Sequence, residues 1–172
     1  SNTTGLRNTA IGAGSLYSNT TGSYNNSTGF STLSANTTGS ENDAYGTFAM
    51  RLNSTGSGNV AFGLASLSNN TSGSTNTAIG IGSLLNNQTG YSNVAIGVFA
   101  LANSGNRTNL VAVGDSALYN NGVGAVGFQA TGNSAFGSKA LFANTTGYYN
   151  TATGTNALRN NQTGAQNTAN GT

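Results

Sequence analysis

Glu41, Asp43 and Asp115 are the only carboxylates in a chain of 172 residues. Hydrolysis of a glycosidic bond asks for two carboxylates roughly 5–10 Å apart. Glu41 and Asp43 are two residues apart and would share one face of an extended strand. Asp115 falls about four repeats further along by the period described below, out of their reach. Solvated surface charge is the simpler reading of all three. Cys and His are absent, which removes the usual zinc, haem and iron–sulfur ligands and triads built on either residue. A calcium-binding β-roll needs Asp recurring in every repeat. The expectation is a chain with no catalytic residues, no cofactor and no metal site. The five cations, Arg7, Arg51, Arg107, Lys139 and Arg159, give a net charge of +2. They are scattered singly, whereas a nucleic-acid surface clusters them. Apolar runs are a handful of residues long, too short for a transmembrane helix.

Binding is left to aromatic side chains. Tyr17, Tyr24, Tyr91, Tyr119, Phe142, Tyr148 and Tyr149 stand at positions that vary from repeat to repeat. Exposed Tyr offers apolar area with a hydrogen-bonding tip, which suits glycans and proteins. Tyr24, Tyr91, Tyr148 and Tyr149 are the candidate binding residues. The plain alternative is that these rings cover the edges of a roll or the seams of an oligomer.

What must position them is a repeat. Asn, Thr, Ser and Gly number 28, 25, 20 and 26. That composition alone suggests disorder, but its periodicity argues for order. In 17-residue lines the chain reads x-N-T-T-G-x-x-N-T-A-I-G-x-x-A/S-L-x. Columns start at Gly5, Asn8, Ala10, Ile11, Gly12 and Leu16 and recur along the chain. The Gly12 column continues to Gly171, with its step changing only at Gly114, Gly127 and Gly137. Fixed columns of one residue type imply stacked coils with like residues in ladders. Frequent Gly forbids helix, β-branched runs such as Asn93–Gly97 fit strands, and Thr-Thr-Gly reads as a turn. The repeat predicts an all-β parallel β-solenoid of about eleven coils, each of two short strands and two corners. At about 4.8 Å per coil the rod would be about 48 Å long. The Asn8 column predicts a buried ladder. The sequons at Asn2, Asn19 and Asn36 have a regular place in the repeat, so a turn role is expected there too.

Residues 1–172 read as one repeat domain, irregular over 103–142, where Gly122 and Gly124 are inserted and two coils are shortened. The chain opens and closes inside a repeat and reads as a processed product or a segment of a longer fibre. Two large apolar columns, Ile11 and Leu16, supply the expected core. Against roughly 25 kcal/mol to order 17 residues, two such side chains per coil are a thin return. The Ala10 column with its glycines makes a smooth stripe on which another backbone could lie. Three copies sharing a core side by side is the favoured reading, and a monomer with a narrow, packed lumen is its competitor.

The unit Asn8-Thr9-Ala10-Ile11-Gly12, and more closely Ser92-Asn93-Val94-Ala95-Ile96-Gly97, resembles the N-S-V-A-I-G head repeat of trimeric autotransporter adhesins. The longer unit with its N-T-T-G turn is similar to repeats of bacterial surface fibres and phage tail fibres. The adhesin resemblance implies a left-handed parallel β-roll, three rolls packed into a fibre head, and no catalytic residues. The adhesin repeat is the shorter one, so details of roll shape do not carry over. The expected function is a non-enzymatic extracellular fibre segment, adhesin head or shaft. It would attach a cell or virion to another surface through a glycan or protein receptor, without nucleic acid or membrane insertion. A phage tail-fibre shaft without receptor contact is a lesser alternative. An ice-binding β-solenoid is another, because Thr4, Thr21, Thr38, Thr55, Thr89, Thr146 and Thr163 form a column, with Ser72 in one gap. Against it, Thr3 and Thr4 would point to opposite sides of an extended chain.

Overall fold

A computed structural model describes residues 2–171. It contains ten strands of three residues. They are β1 (Thr9–Ile11), β2 (Asn26–Thr28), β3 (Asp43–Tyr45), β4 (Val60–Phe62), β5 (Thr77–Ile79), β6 (Val94–Ile96), β7 (Val111–Val113), β8 (Ser134–Phe136), β9 (Thr151–Thr153) and β10 (Thr168–Asn170). All ten form one parallel sheet in sequence order. Ala78 pairs with Ala61 on one side and Ala95 on the other, so each sequence column is a vertical row. The chain is a parallel β-solenoid of ten turns. Nine steps of about 4.8 Å make a rod of roughly 43 Å, shorter than eleven coils would give.

The missing coil is the one marked by Gly127. β7 pairs directly with β8, 23 residues on from Val111 to Ser134. Residues 122–129 leave the stack as a single excursion at the Thr-Thr corner, six residues longer than its counterparts. Ala125-Val126-Gly127 imitates the Ala-Ile-Gly signature but pairs with no strand.

Each coil has one strand, not two. Opposite the strand, the Leu16 column takes left-handed backbone, with φ between +47° and +52° at Leu16, Leu33, Met50, Leu67, Leu84, Leu101, Leu118, Leu141 and Leu158. The residue two before each is left-handed as well, as at Ser31, Phe48 and Ala65. Alternating hand aims successive N–H groups up and down the rod. Leu33 N donates to Ala49 O in the following coil at 3.1 Å, while Ser31 N donates to Ala13 O in the preceding one at 2.9 Å. This wall is therefore hydrogen-bonded from coil to coil without extended backbone. The left-handed geometry costs roughly 1–2 kcal/mol per non-Gly residue. Burial of these side chains, complete from Leu33 to Leu141 and worth about 1.5–3 kcal/mol each, offsets it.

The core also differs from expectation. The middle residue of every strand from β2 to β9 is buried in the lumen: Ser27, Ala44, Ala61, Ala78, Ala95, Ala112, Ala135 and Ala152 are fully buried. They meet the Leu16 column and a third small column containing Ala49, Ala100, Ala117 and Ala140. Hydroxyls that enter this lumen are paired, as where Thr32 Oγ1 donates to Gly46 O at 2.7 Å and Ser83 Oγ to Gly80 O at 3.0 Å. The Ile11 column lies on the outside. A lumen one Ala wide has no room for Ile or Phe, and strand alternation sends the neighbours of an inward Ala outward. The Ala stripe is thus the lumen wall and is not available to another chain.

Two Asn ladders close the remaining side. Asn42 Nδ2 donates to Asn25 Oδ1 at 3.0 Å and to Gly56 O at 2.9 Å. Asn42 Oδ1 accepts from Asn59 N and Asn59 Nδ2, both at 3.1 Å. The second ladder holds the sequon asparagines, with Asn36 Nδ2 on Asn19 Oδ1 at 2.8 Å and on Gly39 O at 2.9 Å. The buried ladder and the turn role expected from sequence are both present. Glycan attachment at Asn36 would need its buried carboxamide, which these bonds occupy.

Candidate binding surfaces

The first surface follows from the inverted strand. Phe62, Ile79, Ile96 and Phe136 project from the ends of β4, β5, β6 and β8 and are exposed. The chain then bends at the Gly12 column. There, Gly63 has a φ of +134°, and an added Cβ would lie 2.7 Å from Gly80 O. Just past the bend a second exposed row holds Leu64, Ile81 and Val98. Glycine permits the positive φ and the close coil-to-coil approach, and so fixes a sharp corner with apolar flanks on both sides. Tyr45 and Phe62 stack on this corner at 4.4 Å between centroids. The row at the strand ends is apolar over β3–β8, whereas the second row is apolar only at Leu64, Ile81 and Val98, just after β4, β5 and β6, and carries Thr47, Asp115 and Ser138 in the coils on either side. The corner turns polar towards both ends, at Thr28, Thr153 and Asn170.

The second surface surrounds the excursion. Arg107 occupies a place where other coils carry Gly, as at Gly90. Its guanidinium reaches out to the loop, donating from Nη1 to Gly127 O at 2.5 Å and from Nη2 to Ala125 O. Gln129 Oε1 accepts from Val126 N at 2.9 Å, and Thr131 Oγ1 donates to Phe128 O at 2.6 Å. The loop so held presents Val126 and Phe128, 70% and 69% exposed. Phe128 meets Tyr148 edge to face at 5.6 Å, and Tyr148 meets Tyr149 at the same distance. Tyr149 has a φ of +54°, and its ring lies over Gly132 in the neighbouring coil, where only a residue without Cβ fits beneath it.

Of the four Tyr candidates, the structure brings Tyr148 and Tyr149 together and leaves Tyr24 and Tyr91 apart. Tyr24, seven coils from Tyr149, is held by Arg7, whose Nη1 donates to the phenol oxygen at 2.5 Å. Tyr91 is exposed, three coils from Tyr148. Phe128 and Arg107 were missed by the sequence reading because the excursion had been divided into two short coils. The signal that could have found them was Arg107 itself, a large cation in a glycine column.

No match was found among protein-family models, curated proteins or solved structures.

The chemistry-bearing residues are dispersed. Asp43 Oδ1 accepts from Asn26 Nδ2 at 2.7 Å, which ties it into the sheet face. Glu41 is exposed, two residues before it in the preceding turn. Asp115 is exposed, beyond β7. The described residues include no group of three or more Asp or Glu that could hold a metal ion, and no helix is long and apolar enough to cross a membrane. The Thr column runs along a corner. Thr20 Oγ1 and Thr37 Oγ1 donate to backbone carbonyls of the next coil, 2.9 and 3.0 Å away. Thr21, Thr38 and Thr55 face solvent as a single file.

Proposed function

We propose that this chain is a non-enzymatic segment of an extracellular fibre, an adhesin head or shaft, that works as a side-by-side homotrimer. The observation that carries the reading is the apolar corner, where exposed rows from neighbouring coils line up. Parallel sheets are normally covered on both faces, and here one face is left with rows of Ile, Val and Phe. A single flat face would favour a pair. Around β4–β6 the corner is apolar on both flanks and seats as one wedge of several around a common axis, each flank meeting a different neighbour. The motif similarity to trimeric adhesin heads supports three.

Attachment would use the aromatic patch of Phe128, Tyr148 and Tyr149, which lies away from the corner on a loop braced by Arg107. Edge-to-face rings with phenol tips suit a sugar ring or an apolar peptide. Tyr24 and Tyr91 are isolated contact points further along the rod.

Light scattering on the whole chain tests the assembly. A mass near three times 17.1 kDa is expected, and a concentration-independent monomer overturns the shared axis. A glycan array with the Tyr148→Ala, Tyr149→Ala double variant tests attachment. Loss of binding is expected, and unchanged binding removes the patch from the proposal.

A further inference from the structure

Both Asn ladders break in the same coil. Leu110 stands in the Asn8 column and Ser104 in the Asn19 column. The first break is benign: Leu110 N still donates to Asn93 Oδ1 at 3.1 Å. The second leaves two buried atoms without a protein partner, Asn87 Oδ1 and Ser104 Oγ. Elsewhere in this ladder a carboxamide nitrogen fills the spot between them. Asn70 Nδ2, for example, donates to Asn53 Oδ1 at 2.6 Å and to Gly73 O at 2.8 Å. Asn87 and Ser104 are both fully buried.

We propose that Ser104, Asn87 and the carbonyl of Arg107 form a binding site for one internal water. The carbonyl is where the pattern requires it. Asn93 Nδ2 donates to Arg107 O at 2.8 Å, as Asn76 Nδ2 does to Gly90 O at 2.9 Å one coil earlier. A water in place of the absent nitrogen donates to Asn87 Oδ1 and Arg107 O, as that nitrogen would, and accepts from Ser104 Oγ. Exchanging Asn for Ser frees room on the order of one water, about 30 Å³ of liquid volume, and three polar partners are what a buried water normally has. The chemistry selects against ions. Two acceptors converge, so an anion is repelled. The oxygens are neutral and few for a divalent cation, which takes six to eight in the case of calcium. Arg107 adds positive charge in the same coil.

The water completes the ladder where the excursion begins, since Asn121 resumes it one coil later and Gly122 opens the loop. The shorter side chain also makes room for Arg107: at Gly90, one coil earlier, an added Cβ would collide with the carboxamide oxygen of Asn87, and Ser104 has no such oxygen.

A high-resolution crystal structure of the unaltered chain is the direct test. The expected result is one ordered peak within about 2.7–3.2 Å of Asn87 Oδ1, Ser104 Oγ and Arg107 O. Empty density overturns the site, as does a direct Ser104–Asn87 hydrogen bond or a peak with contacts of about 2.3–2.6 Å, the signature of a metal ion. Water relaxation dispersion on the Ser104→Asn, Arg107→Gly double variant, which restores the pairing of ladder Asn with Gly seen at Asn87 and Gly90, is the second arm. The introduced carboxamide should displace the water and lower the count of long-lived internal waters by one. An unchanged count in the folded variant also overturns it. If that variant does not fold, the crystal structure decides alone.

Discussion

Ala95 and Ile96 are neighbours on β6, yet Ala95 is fully buried and Ile96 is 38% exposed. The smaller side chain is inside because the lumen is one methyl group wide on the strand side. The two positions should therefore respond in opposite ways to substitution. Ala95→Leu overfills a closed core and should cost about 3 kcal/mol or more, at the upper end of overpacking, read as a lowered urea midpoint or loss of soluble protein. Ile96→Arg should leave the far-ultraviolet spectrum unchanged and convert the proposed trimer to monomer in light scattering. A trimer unaffected by Ile96→Arg and Phe62→Arg together would place the assembly surface elsewhere.

Asn42→Asp keeps the shape of a ladder residue and removes its donors. Asn25 Oδ1 and Gly56 O then each lose one of two donors, keeping Asn42 N and Asn53 Nδ2 respectively. Each lost hydrogen bond costs about 0.5–1.5 kcal/mol. Facing two acceptors in a buried site, the new acid holds its proton more tightly folded than unfolded. Its folded pKa lies above the unfolded value of about 3.9. The variant's deficit against wild type should be smallest below that value and grow as pH rises through it. Urea unfolding at pH 3 and pH 7 checks the sign, and a deficit that shrinks towards neutrality refutes the ladder account.

Glycines differ in what they carry. An added Cβ at Gly63 meets Gly80 O at 2.7 Å and Gly80 C at 2.8 Å with φ at +134°, whereas at Gly124, with φ at +73°, it meets nothing. Gly63→Ala should prevent folding or lower stability by more than about 3 kcal/mol, since backbone strain and a backbone clash add. Gly124→Ala pays strain alone, about 1–2 kcal/mol, or less if the loop relaxes. Thermal melts of the two variants give the comparison.

Arg107 braces the excursion through two carbonyls, those of Gly127 and Ala125. Arg107→Ala should free the loop without unstacking the coils. Limited chymotrypsin digestion should then cut after Phe128 several-fold faster, with the circular dichroism melt shifted by little. Unchanged cleavage would mean the loop is held by its own turn bonds at Val126 and Thr131.

The aromatic patch was half visible beforehand. Tyr148 and Tyr149 are adjacent in the chain and lie at a variable position, so their proximity needed no coordinates. Phe128 joins them only because residues 122–129 loop out of the stack, and Ala125-Val126-Gly127 looks like a coil in one dimension. Arg7 and Tyr24 are a simpler case, since 17 residues of separation already makes them vertical neighbours.

The amino-acid order by itself determined the stack. A strict period puts identical residues above one another, and Asn, Gly and Leu columns then have ladder, corner and core roles that local chemistry dictates. It did not determine which side of the strand is inside. Ala and Ile alternate in the same way for either facing, and hydrophobicity alone favours Ile within. The tertiary structure decided that, because the opposite wall is a row of left-handed Leu residues close enough to leave room only for Ala. The same closure left one strand per coil and turned the large apolar side chains outward.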